Sequence, residues 1–311
     1  MAPTTATLRF GYPDLSVPDE ERSFLNIPAP KGIENVQVRL HDASKDTSIA
    51  QGAKGLDVQG FAYVKHHSSI CEDDGKRILL DRNVEEIYFP ETEKLICELT
   101  GAKKAIIVNG GVRSGLAVKQ EQHSFVNMKG SKHDQAIAEL PRDVPLGKVH
   151  IDYTLKGVRD AARYLRKDIK AMAQPTLDAE DAGEHAPRYA MYSVWRPLKP
   201  VKRDPLVVCD YRTIDQNEIA EVFYRSPSDV CDEYLASACM VLPPKDASKQ
   251  KWYWMPEQTP DDVLIIKLGD MESDVDAGVA GGIPHVSPVV NGTEDIQEAR
   301  SSIEVRVLAF W

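Results

Sequence analysis

Two residues able to bind a metal stand two apart in Lys148-Val149-His150-Ile151-Asp152-Tyr153-Thr154. The stretch follows a loop closed by Pro145-Leu146-Gly147, and its polar and apolar residues alternate. Such alternation predicts a half-buried β-strand. Side chains two apart on a strand share a face, so His150 and Asp152 point one way and Val149 and Ile151 the other. A neighbouring imidazole and carboxylate are two of the three ligands of a 2-His-1-carboxylate iron site. They also suit an ordinary strand carrying a surface His and Asp, and the rest of the chain must decide between the two.

A third ligand has one strong candidate. In Gly281-Gly282-Ile283-Pro284-His285-Val286, His285 sits in a short extended stretch behind glycines that let backbone approach closely, although a plain histidine near a turn fits the same residues. His66 and His67 are adjacent and face opposite ways on a strand, while His41, His123, His133 and His185 lie in polar loops. The last strand adds a second feature. In Arg300 to Leu308, residues Arg300, Ser302, Glu304 and Arg306 share one face, and Ile303, Val305 and Val307 share the other. Charges in such a column are costly to bury unless paired or used. A surface strand with salt bridges is one reading. The other is a carboxylate clamp, in which a guanidinium fork and a hydroxyl anchor the distal carboxylate of 2-oxoglutarate. Arg300 and Arg306 are rival anchors for such a clamp, with Ser302 between them on the same face. Trp195 and Arg196 are candidates to line the pocket, with Arg196 binding a carboxylate; a structural Arg196 paired with an acid such as Asp210 fits as well. Arg113, after Gly110-Gly111-Val112, is a similar case. If Arg113 or Arg196 is not used for 2-oxoglutarate, the pocket suits a substrate with its own carboxylate.

The elements that must position these residues divide the chain. Residues 1–60 are rich in Pro and charge and read as an arm wrapped over the body. Pro90 to Gly101 carries helix punctuation at both ends, and Lys104–Val108 follows as a strand. Residues 118–146 are polar and irregular, the place for a lid. Apolar residues at helical spacing predict a helix over 155–173, stopped by Pro175. Beyond the acidic stretch Asp178–Glu184, short strands are expected at Tyr189–Trp195, Pro205–Asp210, Glu218–Tyr224, Lys251–Met255, Val263–Leu268, Ile283–Val286 and Ser302–Phe310. Asp270, Glu272, Asp274 and Asp276 miss calcium-loop spacing and read as a solvated loop. The fold expected is mainly β with flanking helices and a jelly-roll core over 102–311, in one domain.

Composition limits the partners. The chain has 311 residues and a net charge of −10, which argues against nucleic acid or an anionic membrane surface as a partner. No apolar run approaches spanning length and no signal-peptide pattern opens the chain, so a cytoplasmic protein is expected. Its five cysteines are an odd number without CxxC spacing and read as reduced thiols. Oligomeric state is left open, a homo-oligomer included.

Taken together, these stretches resemble the fungal GA4-desaturase/AsaB-type hydroxylase-desaturase family, which also includes the small subunit of bacterial cephem 7α-methoxylases. The resemblance is carried by Leu56–Phe61, Ile87–Glu91, Thr100–Ala102, Val149–Thr154, Val194–Leu198, Pro205–Asp210, Lys251–Met255 and Ser302–Val307. It implies a double-stranded β-helix (cupin-like) core and an oxygenase using Fe(II), 2-oxoglutarate and O2 on a small molecule of secondary metabolism. It also implies iron ligands at His150, Asp152 and His285, and co-substrate contact at Arg300 with Ser302 following. The chain departs from the family pattern at Val286, where Thr is usual, and at Ser193, where Asn is usual. Two other expectations remain open: a cupin-like metal isomerase or dioxygenase that uses no keto-acid, and a non-catalytic subunit of an oxygenase/methyltransferase pair.

Overall fold

The computed structural model describes residues 4–25, 27–71, 84–113 and 145–311. In chain order its strands are β1 (Thr5–Tyr12), β2 (Gly32–Asp42), β3 (Phe61–Lys65), β4 (Lys104–Arg113), β5 (His150–Ile151), β6 (Tyr189–Pro197), β7 (Val207–Cys209), β8 (Ile219–Ser228), β9 (Asp232–Val241), β10 (Trp252–Trp254), β11 (Asp262–Asp270), β12 (His285–Val286) and β13 (Ser302–Phe310). They form an eight-stranded sheet, ordered β1-β2-β10-β7-β12-β5-β9-β8, and a five-stranded sheet, ordered β3-β11-β6-β13-β4. All pairings are antiparallel except β10 with β2. This is a mainly β, double-stranded β-helix fold with helices on its outside.

Strand alternation decides what each face meets. On β13, Leu308 and Phe310 pack between the sheets, while Ile303, Val305, Val307 and Ala309 pack under the helix α2 (Phe89–Thr100). Complete burial of side chains such as Val305 and Val307 stabilises by about 1.5–3 kcal/mol each. Strand β6 does the same, with Met191 and Trp195 inward and Tyr192 and Val194 toward α2. Helix α2 begins with Pro90 in its first turn and ends at Gly101, whose φ of 77° is the left-handed stop expected there.

Four expectations change. Part of the first sixty residues, read as an arm, is built into the larger sheet as β1 and β2; another short piece forms the helix α1 (Gly52–Val58). The motif expected as a strand over 148–154 is a strand only at His150–Ile151, and Thr154 then turns the chain by capping a helix. The helix expected over 155–173 is two pieces. They are α3 (Leu155–Asp160), continued by a π turn at Ala161–Leu165, and α4 (Lys167–Asp181), with Arg166 extended between them. Pro175 sits inside α4 and does not stop it, because the buried stripe Ile169, Ala173, Thr176 and Leu177 runs past it. Finally, β9 was not anticipated; its inner half is small and buried (Ala236, Ser237, Ala238, Cys239), so it lacks the polar–apolar alternation of a half-buried strand. The segment expected as a lid lies outside the described residues as far as residue 144.

Candidate active site

His150 and His285 stand directly opposite each other on the adjacent strands β5 and β12, with ring centroids 4.3 Å apart. Asp152 follows β5 immediately, where Thr154 Oγ1 accepts from Gly157 N–H at 2.9 Å and starts α3. Gly282 lets the β12 segment come close: a Cβ there would lie 2.5 Å from the Leu268 carbonyl oxygen and 2.8 Å from Ile151. One ligand atom from each of His150, Asp152 and His285 falls within 4.8 Å of the others, and all three residues are buried. His150 Nδ1 lies 2.8 Å from the Lys148 carbonyl and His285 Nδ1 lies 3.1 Å from the Ile283 carbonyl. A carbonyl only accepts, so each Nδ1 carries the proton and each Nε2 keeps its lone pair. Those lone pairs face Asp152, with Nε2 to carboxylate distances of 3.5 Å for His150 and 3.7 Å for His285. Two neutral imidazoles and a carboxylate, aimed at one point, fit a divalent iron.

The electrostatics suit that role. Burial opposes ionisation of Asp152, but Arg306 and the two histidines hold its carboxyl well below the ordinary carboxylate range. Burial, then His150, push His285 down to about 4, so it is neutral at physiological pH. Arg306 donates from Nε to Asp152 at 3.0 Å, its Nη2 lies 3.0 Å from the same oxygen, and its Nη1 donates to Asn109. Glu304, on the same face of β13, accepts from Ser193 Oγ at 2.8 Å.

A second group lies beside the first. Arg300 Nη1 donates to the Asp204 carbonyl at 2.9 Å and to Ser287 Oγ at 2.7 Å, and its guanidinium lies 5.2 Å from the centre of the Trp195 ring. Its Nε and the Ser302 Oγ are buried without a hydrogen-bond partner. Two orphaned buried donors are unfavourable alone and fit a carboxylate. Burial, then Arg113, push Arg300 down to about 9. Ligand trio, Arg300 and Trp195 line one cavity of about 470 Å³, together with Arg113, Glu304 and Arg306.

Comparison with known proteins agrees with this geometry. A family described as "Oxidoreductase/YMDC permease-like domain" matches residues 17–310. The gibberellin cluster GA4 desaturase of Gibberella fujikuroi is 34% identical over 90% of this chain and 90% of its own length. The chain belongs to the GA4-desaturase/hydroxylase-desaturase family. An α-ketoglutarate-dependent dioxygenase, phiK, from a fungal species is 25% identical over 92% of this chain and 94% of its own. Among solved structures, the iron and α-ketoglutarate-dependent endoperoxidase NvfI has the same fold, with a TM-score of 0.70 at 22% identity over 100% of this chain and 99% of its own. The chain is thus an oxidoreductase of the α-ketoglutarate-dependent dioxygenase class.

Within this family frame, the two departures become physical. Ser193 does not reach the cavity but holds Glu304, which does. Val286 lines the cavity and is fully buried beside His285. One expected pocket residue is corrected. Arg196 faces the other side of β6 from Trp195, because neighbours on a strand point oppositely. It is fully buried, donating to the carbonyls of His66 and Pro260 at 2.7 and 2.6 Å and to Tyr88 Oη at 3.2 Å. Nor does it pair with Asp210, which binds Arg212. Arg306, the rival anchor, is committed to Asp152. Sequence reasoning missed Glu304 as a pocket residue, and also Asn109, Arg9 and Lys148. Lys148 was within reach, since it shares the alternation that pairs His150 with Asp152. Arg9 had a weaker signal, a lone cation between Leu8 and Phe10.

Proposed function

We propose that the protein oxidises a C–H bond of a small molecule of secondary metabolism, using Fe(II), 2-oxoglutarate and O2. The observation that carries this reading is the convergence of His150, Asp152 and His285 with both Nδ1 atoms tied to backbone carbonyls. His150 Nε2, His285 Nε2 and an Asp152 oxygen would hold the iron. Arg300 Nε and Ser302 Oγ would receive the distal carboxylate of 2-oxoglutarate, with Trp195 under the guanidinium. That pair of orphaned donors favours a keto-acid enzyme over a barrel that uses none, and the intact trio favours an enzyme over a scaffold subunit. Iron with bound 2-oxoglutarate supplies the oxidising power: R–H, O2 and 2-oxoglutarate give R–OH, succinate and CO2, or an alkene and water when a second hydrogen leaves. Arg306 keeps Asp152 ionised, and apolar wall residues such as Leu206, Met240 and Val286 exclude water from the reacting centre.

Purified protein is expected to convert 2-oxoglutarate to succinate only when Fe(II) is present, with His150→Ala and Asp152→Ala inactive. Turnover without 2-oxoglutarate, or full activity in both variants, would reject the reading.

A further inference from the structure

The cavity holds more positive charge than its iron chemistry uses. Arg9, Arg113, Lys148, Arg300 and Arg306 line it, against the carboxylates Asp152 and Glu304. Fe(II) adds two positive charges and 2-oxoglutarate removes two, so loading leaves this excess in place. Arg306 is bound to Asp152, and Arg300, with its unpartnered Nε, is the residue proposed above for 2-oxoglutarate. Arg113 is engaged too, close to Glu304.

Arg9 and Lys148 remain. Both are half-buried in the cavity wall, and among the described residues neither side chain has an ion-pair or hydrogen-bond partner. The backbone brings them together, since Val149 N–H donates to the Arg9 carbonyl at 2.9 Å. On β1, Ala6, Leu8 and Phe10 pack into the larger sheet, so Arg9 and Gly11 take the opposite face and line the cavity. Arg9 meets the chain next to Lys148, whereas Arg300 is tied elsewhere, to the Asp204 carbonyl and Ser287 Oγ. The pair is therefore a second cationic group, apart from the one facing 2-oxoglutarate. Two like charges in a partly desolvated wall are unfavourable until an anion shares them. The same cavity is walled by Leu25, Ile27, Pro28 and Met240, which offer an apolar body no polar partner.

We propose that Arg9 and Lys148 are the receptor for a carboxylate on the substrate, whose compact apolar body rests on Leu25, Ile27, Pro28 and Met240. This rests on the iron and 2-oxoglutarate reading above. Anchoring one end of the substrate selects which C–H bond is presented to the metal. A neutral analogue of the same shape is rejected because it leaves both cations unpaired.

Isothermal titration calorimetry on the anaerobic Fe(II)/2-oxoglutarate protein tests this with adamantane-1-acetate and its primary amide as probes. The acid should bind about tenfold tighter than the amide or better. In Arg9→Gln/Lys148→Met the preference should fall to within about twofold, while Arg9→Lys/Lys148→Arg should retain it. A wild-type measurement needs no variant: acid affinity should drop between about 0.05 and 0.5 M salt and amide affinity should not. Equal affinities, no detectable acid binding, or a preference that survives the neutral double variant would overturn the proposal. Failure to form the iron–2-oxoglutarate complex would instead count against the iron reading, and the same acid–amide comparison on metal-free protein would still decide the receptor.

Discussion

Arginines on and beside β13 divide their work by their position along the strand. Arg300 lines the cavity and keeps a buried Nε without a partner, while Arg306 is spent on Asp152. Replacing Arg300 by Ala should raise the KM for 2-oxoglutarate about 30-fold or more, the effect of losing a charge-assisted contact of roughly 2–5 kcal/mol. Metal affinity should change little, which a parallel Fe(II) titration checks. Arg306→Ala should act differently. It leaves Asp152 buried without its guanidinium, a loss of about 3–5 kcal/mol, read as a lower Tm together with weaker metal binding. An unchanged Tm would mean that the Asp152–Arg306 pair is not holding the site. This division was only half legible in the sequence. Alternation put Ser302, Glu304 and Arg306 on one face, with Arg300 two residues before them, but which guanidinium meets Asp152 depends on how β13 lies across from β5. No spacing along one strand encodes that.

Among the elements, the two-residue period of β6 decides which side chain meets the cavity. Trp195 and Arg196 are adjacent on β6, so only one could face the cavity, and Trp195 does. The helix break at Arg166 was not legible. Strand β4 shifts register between Ile107 and Asn109, opposite Arg306 and Val307. Arg166 crosses over to donate to the carbonyls of Ile107 and Val108 at 3.0 and 2.9 Å. A long-range bond therefore interrupts a helical pattern that local periodicity would continue. Two substitutions probe the turn that sets the ligands. Thr154→Ala removes the cap of α3 and should lower stability by about 1 kcal/mol, seen as a shift in chemical denaturation midpoint. Gly282→Ala forces a Cβ against the Leu268 carbonyl and Ile151. It should displace His285 and weaken Fe(II) binding; retained metal affinity would show that β12 accommodates the extra atom.

Across the whole molecule, a net charge of −10 surrounds a cavity dominated by cations. This arrangement is consistent with catalysis on small anions and not with phosphate-backbone binding. Among the described residues no helix is long and apolar enough to cross a membrane. Another charge group ties α1 to β11. The fully buried Lys267 reaches Asp270 at 2.6 Å and Asp57 at 3.0 Å, and Arg188 joins both acids. Asp270, expected in a solvated loop, is therefore a buried structural ion. Burial resists the Asp57 charge, but Lys267 and Arg188 outweigh it and lower its pKa. A carboxyl lowered on folding stabilises fully above its unfolded pKa of about 3.9 and loses that contribution as pH falls below it. Asp57→Asn should therefore flatten the acid limb of the Tm–pH curve below about pH 4 and leave the slope near neutrality unchanged.

In the proposed function, His150, Asp152 and His285 hold one iron to which 2-oxoglutarate binds. Anaerobic titration of the metal-free protein with Fe(II) in the presence of 2-oxoglutarate tests it most directly, by visible absorption. A charge-transfer band is expected that saturates at one iron per chain and is absent in Asp152→Ala. A wild-type protein that shows no band, or an Asp152→Ala protein that shows the same band, would contradict it.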